Sequence, residues 1–217
     1  MRPAILFVHC NASGLPIPGA SLDDPDYPWP THIAAELTDE DGNNLPVPQF
    51  FSLACLSAGR TIQPGATKVH GITARDIATC GMPELSVLDA LIKFSLNARR
   101  IVAYAASFDR DLVTASLRRL ARERPEGRRE PILKLMSAWL RPGLETVDLR
   151  DICQVVCGMD QWPSLNVAFE RIVRMSPVTD EKHDAWTDVQ KLKRLYFALQ
   201  HRGEIGAKLI EPIMEVA

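Results

Sequence analysis

The chain lacks a surplus of positive charge, a long apolar run, and any spacing of cysteine and histidine that would hold zinc. Its 25 Lys and Arg stand against 27 Asp and Glu, a formal net charge of −2. A basic nucleic-acid-binding domain is therefore not indicated by overall charge, although a local basic patch is compatible with that balance. No stretch approaches the length of a membrane span, and the apolar run Ala4 to Val8 is too short for a signal-peptide core. A cytoplasmic protein without a membrane anchor is expected. The five cysteines (Cys10, Cys55, Cys80, Cys153 and Cys157) are scattered and odd in number. Cys153 and Cys157 are spaced for one helix face, not as a C-x-x-C pair, so reduced and mostly buried thiols are expected.

What is present is an ordinary globular composition. The 217 residues are 46% hydrophobic and 24% charged, enough for one α/β domain with a sizeable core, expected to occupy 1–217. Ala4–Cys10 is an apolar run that ends in a Gly-Leu-Pro turn, as a buried strand does. Two more strands are expected around His32–Thr38 and Gln49–Leu56, with Asp41-Gly42 as the turn between them. From Pro83 the apolar period changes to that of a helix, with Leu85, Leu88, Leu91, Ile92 and Leu96 on one face. Arg100–Ala105 reads as a strand, and Ser107 as the N-cap of a helix through Leu112, Leu117 and Leu120. A charged linker (Arg124–Glu130), a short strand (Thr146–Leu149) and helices near Ser164–Arg174 and Ala185–Gln200 complete the pattern. Strands first, then strand–helix alternation, point to a mixed β-sheet flanked by helices.

Several segments carry candidate chemistry. The first strand ends in His9-Cys10-Asn11, and residues i and i+2 of a strand share a face. Read alone, His9 and Asn11 are a polar pair at a strand end. Further on stand Ile62-Gln63-Pro64, Val69-His70-Gly71-Ile72-Thr73, and Ile101-Val102-Ala103-Tyr104-Ala105-Ala106-Ser107-Phe108-Asp109. Trp162-Pro163-Ser164-Leu165 follows, and then His183-Asp184-Ala185-Trp186-Thr187-Asp188. In type and order these segments resemble the DEDDh-type 3'–5' exonuclease family, of ribonuclease H-like fold, over roughly residues 4–200.

The resemblance implies a site. Asp109 and Asp188 would be ligands of Mg or Mn, and His183 the general base that takes a proton from the attacking water. His9 and Asn11 would stand at the place of a single-stranded 3' end or a nucleotide; by residue type Tyr104 and Phe108 could stack a terminal base there, and core packing explains Phe108 equally well. Two-metal chemistry, however, needs several carboxylates converging on two ions about 3.5–4 Å apart. The family carries Asp-x-Glu where this chain has His9 and Asn11, and often His-Asn where it has Tyr104-Ala105. Metal binding is expected to weaken, and hydrolysis to be lost or severely reduced. The competing readings are a non-catalytic nucleic-acid or nucleotide-binding pseudoenzyme, and a protein-interaction module on the same fold.

Two charged segments are set beside this site. Asp23, Asp24 and Asp26 are expected in a surface loop. Arg118, Arg119, Arg122, Arg124, Arg128 and Arg129 interleave with Glu123, Glu126 and Glu130. A solvated helix end is the expectation there, with a phosphate-tracking stripe as the alternative.

Overall fold

A computed structural model describes residues 4–55, 60–176, 184–205 and 211–212. The chain opens with an antiparallel meander of β1 (Ala4–Ala12), β2 (Pro30–Thr38) and β3 (Asn44–Cys55). Asp39 makes the β2–β3 turn by accepting the N–H groups of Asp41 and Asn43 at 3.0 and 2.8 Å. Gly42 sits in that turn at φ 85°, where a side chain would be strained and would press on the Phe197 ring. Two short helices, α1 (Pro64–His70) and α2 (Ala74–Cys80), lead to β4 (Met82–Pro83) and α3 (Glu84–Ser95). Then come β5 (Ala98–Ala103), α4 (Ala106–Arg122), a 3-10 turn at Glu126–Arg128, and α5 (Glu130–Trp139). The chain continues through β6 (Glu145–Asp148), α6 (Leu149–Cys157), α7 (Leu165–Val173), α8 (Ala185–His201) and β7 (Glu211–Pro212).

Among the described residues the strands form a seven-stranded sheet in the order β4-β3-β2-β1-β5-β6-β7. β5 runs parallel to β1 and β6 parallel to β5, so the helices between them must cross a face of the sheet. The period of two along β1 divides the interior into two layers. Leu6, Val8 and Cys10 pack with α3, α4 and α5, whereas Ile5 and Phe7 pack with α6, α7 and α8. Burial on both faces explains why β1 reads as a continuous apolar run and not as an alternating one.

Polar anchors set the helices that matter for the site. Arg119 of α4 holds both carboxylate oxygens of Glu84 of α3 at 2.6 Å, with both residues buried. On the other face, buried Glu36 of β2 accepts from Lys193 at 2.7 Å and Gln190 at 2.6 Å, both on α8. Tyr196 and Phe197 of the same helix lay their rings against Phe7, with centroids at 5.4 and 5.9 Å. Each anchor pairs a charge with a partner inside the protein, which keeps burial of the charge tolerable.

The architecture is the mixed, helix-flanked sheet expected from the sequence, with local departures. Ser107 lies inside the first turn of α4, and the N-cap position is Ala105, which has no side-chain cap. The cap comes from another element: Asp148 at the end of β6 accepts the Ala106 N–H at 2.9 Å. Pro83 stands just before α3, not within it. Helices α1 and α2 have seven residues each, too few to show a helical period. The arginine-rich segment is not simply a solvated end. Arg119 is buried, and Arg118 and Arg122 both bind Asp23 of the early loop, at 2.9 and 2.6 Å.

Candidate functional site

The site forms where β1 outruns its neighbour. The β1–β5 ladder ends at the Phe7–Val102 pairing, so the last residues of β1 have no strand on that side. Asp109, in the first turn of α4, occupies the gap: the Cys10 N–H donates to its Oδ1 at 2.7 Å. Burial pushes the Asp109 carboxyl up to about 6; His9 and the hydrogen bonds from Cys10 oppose the shift, and Asp148 adds to it. The Cys10 thiol is itself pushed up, by burial and then by the Asp109 carboxylate.

His9 and Asn11 point from β1 toward the α8 layer, as their spacing predicts. The His9 Nε2 stands 3.6 Å from Oδ2 of Asp188, a residue in the first turn of α8 that is 1% exposed. Oδ1 of the same carboxylate accepts a hydrogen bond at 3.0 Å from Lys191, which is 7% exposed. One carboxylate therefore lies between an imidazole and an ammonium. Asn11 pairs in register with His32 of β2, whose Nδ1 lies 3.9 Å from Asp184, the N-cap residue of α8. Burial holds the His32 imidazole below its ordinary value, against the pull of Asp184.

Beyond the end of β1 opens a cleft of about 450 Å³, lined by His9, Asn11, Gln63, Val69, His70 and Phe108 among others. Its walls are mainly apolar, and Leu15 and Val69 are exposed beside it. The Val69–Thr73 segment builds one wall. His70 donates from Nε2 to the Ala12 carbonyl at 3.1 Å, while its Nδ1 accepts the Ile72 N–H at 3.0 Å. Burial keeps this histidine below its ordinary pKa, consistent with a neutral ring that carries its one proton on Nε2 and leaves Nδ1 as an acceptor. Gly71 turns the chain at φ 74°, and Thr73 with Asp76 forms a capping box that starts α2. The motif thus staples α1 to the end of β1.

Of the residues named from the sequence, His9, Asn11 and Phe108 line the cleft, and Asp109 and Asp188 stand against β1. Tyr104 is not among the cleft-lining residues. Its hydroxyl donates to the Pro163 carbonyl at 2.6 Å and its ring packs with the α6–α8 layer. Trp162 lies under the Arg150 guanidinium at 3.8 Å, and Ser164 caps α7. His183 lies outside the described residues.

Among the described residues the donor set does not fit a pair of divalent ions. Mg²⁺ asks for hard oxygen ligands in octahedral geometry. Here β1 presents an imidazole and an amide, Asp109 Oδ1 is taken by a backbone N–H, and Asp188 Oδ1 is taken by an ammonium. Among the described residues no group of three His, Cys, Asp or Glu side chains is arranged to hold a metal ion.

No protein-family model and no curated protein sequence matches the chain. Solved structures do match over nearly all of it. The zinc-bound complex of E. coli exonuclease I with single-stranded DNA superposes with a TM-score of 0.68 at 17% identity, covering 93% of this chain. Exonuclease I from Methylocaldum szegediense gives 0.66 at 16% identity over 92%. This chain has the exonuclease I fold. It spans only 41% of the length of either exonuclease I chain.

On this exonuclease I fold, two residues at the site escaped the sequence reading. Lys191 follows Asp188 by three positions, a spacing that brings helix side chains together and is the signal that could have found it. Asp148 left a weaker signal: an acid between a strand and a helix reads as a cap. It is the cap of α6, accepting the Arg150 N–H at 2.9 Å, but it also reaches α4 and acts on Asp109.

Proposed function

We propose that this protein binds a nucleotide or the 3' end of a single-stranded nucleic acid in the cleft beyond β1, with metal-dependent phosphodiester hydrolysis absent or severely reduced. The observation that carries this reading is the Asp188 carboxylate, placed between Lys191 and His9 where hydrolysis would need it on a metal. The ligand class is supported by the fold's likeness to exonuclease I structures solved with single-stranded DNA or a dA16 oligonucleotide. It is also supported by an apolar cleft with Phe108 on its wall and His9, Asn11 and Gln63 as polar contacts. An aromatic ring and a few convergent polar groups are what a terminal base and its sugar-phosphate need.

The test uses a 3'-labelled oligonucleotide with Mg²⁺ and Mn²⁺ separately, alongside fluorescence anisotropy for binding. Binding without degradation is expected. Turnover with Mg²⁺ that disappears in Asp188→Ala would overturn the reading in favour of an active nuclease, with Asp109 and Asp188 on metal and His183 as base. Binding of neither oligonucleotide nor nucleotide would leave a protein-interaction module on this fold.

Phe108→Ala supplies a sharper check of the cleft. Removing a stacking ring costs about 1–3 kcal/mol per base. Affinity for the oligonucleotide should therefore fall by about tenfold, with far-UV circular dichroism unchanged. An unaltered Kd would place the ligand elsewhere.

A further inference from the structure

Lys191 sits one turn along α8 from Asp188, and the i,i+3 spacing brings its ammonium back over the carboxylate, 3.0 Å from Oδ1. The pair is buried: the side chains of Lys191 and Asp188 are 9% and 2% exposed. The second oxygen faces His9 Nε2 at 3.6 Å. We infer that Lys191 is a resident cation that takes the place of a divalent ion at Asp188, with His9 closing the other oxygen. Restoring carboxylates at positions 9 and 11 would therefore not by itself make a metal site.

A lysine ammonium has three donors and no acceptor, so it cannot join an ion's coordination shell. A metal at its ordinary bond length from Oδ1 would lie within a few ångströms of the ammonium, in a place with little water to screen two cations. One of the two must leave. The lysine is covalently tethered at the right spacing, whereas an ion must also shed its hydration shell. The two β1 positions and the one on α8 then act together: β1 offers no acid to recruit metal, and Asp188 already holds a counter-charge in Lys191.

This inference rests on the reading of the cleft as one without metal-dependent hydrolysis, and it is tested apart from ligand binding. The experiment compares Mn²⁺ binding, by electron paramagnetic resonance of the free ion, in H9D/N11E and in H9D/N11E/K191A. At least tenfold tighter binding in the triple variant is expected. Equal affinity in the two variants, or no binding by the triple variant, would overturn the role given to Lys191. Should the triple variant fail to fold, the unaltered protein gives its own answer through the ¹⁵N side-chain signal of Lys191. That signal should stay sharp with excess Mn²⁺; its selective broadening at stoichiometric Mn²⁺ would overturn the inference. Nucleotide binding by the unaltered protein can fail or succeed without changing either result.

Discussion

Arg119→Met should destabilise the protein by about 4 kcal/mol, the cost of taking the guanidinium away from a buried carboxylate. For a chain of this size that corresponds to a fall in Tm of about 10 °C. Arg119 and Glu84 are almost fully shielded from water, at 6% and 2% side-chain exposure, and both carboxylate oxygens lie 2.6 Å from one guanidinium nitrogen. Such a pair gains little over two apolar residues of the same volume, but removing one member exposes the desolvation cost of the other. Arg119 also reaches Glu123 at 3.3 Å, an exposed contact that adds little. Urea denaturation of Arg119→Met and of the double variant R119M/E84M separates these effects. The double variant should recover most of the loss. A single-variant cost below about 1 kcal/mol would show that the pair is more hydrated than its burial indicates. The consequence reaches the site, because α4 carries both Arg119 and Asp109.

Asp109→Asn should make the protein more stable at neutral pH and leave it nearly unchanged in acid. The folded carboxyl titrates near about 6, against an ordinary 3.8, with burial the leading cause. A raised folded value means that the native state holds its proton longer than the unfolded chain. Its favourable contribution is present below the ordinary value and is lost as the pH rises through the folded one. Two pKa units correspond to about 3 kcal/mol. The stability difference between Asp109→Asn and the unaltered protein should therefore grow by roughly 2 kcal/mol between pH 4 and pH 7, the rest falling below pH 4, where the unfolded carboxyl ionises. Asparagine keeps an oxygen for the Cys10 N–H, so the 2.7 Å hydrogen bond need not be lost. His32 and His70, held below their ordinary values, change stability in the opposite direction in both proteins and largely cancel in the comparison. The groups that act on Asp109 directly are His9 and Cys10 of β1 and Asp148 of β6. A difference that stays flat with pH would mean that water reaches the carboxyl.

Much of the fold was legible because local pattern and global burial agree. The β1 run, the Leu88, Leu91 and Ile92 face of α3, the Ser164 cap of α7 and the α8 span appear where periodicity and capping rules place them, whereas Leu96, expected on that α3 face, is exposed just past the helix end. Two of the misplacements share a cause: the stabilising partner comes from a distant segment. α4 starts at an uncapped alanine because Asp148, 42 residues away, supplies the acceptor. Arg119 looks like its neighbours in a charged stretch, and only the packing of α3 on α4 buries it against Glu84, 35 residues away.

The same division holds for the candidate site. The chain alone determines that imidazole and amide stand at positions 9 and 11, since strand geometry puts i and i+2 on one face whatever surrounds them. It also determines that Lys191 lies within reach of Asp188, because helix geometry brings i and i+3 together. Neither spacing says that these two pairs meet. That was decided by α8 docking on β1 and β2, through Glu36 and the Phe7–Tyr196 contact, which carries Asp188 to within 3.6 Å of His9. Burial then sets the strength of the result: in water the lysine–aspartate pair would be a weak helix contact, while inside the sheet–helix interface each charge needs the other.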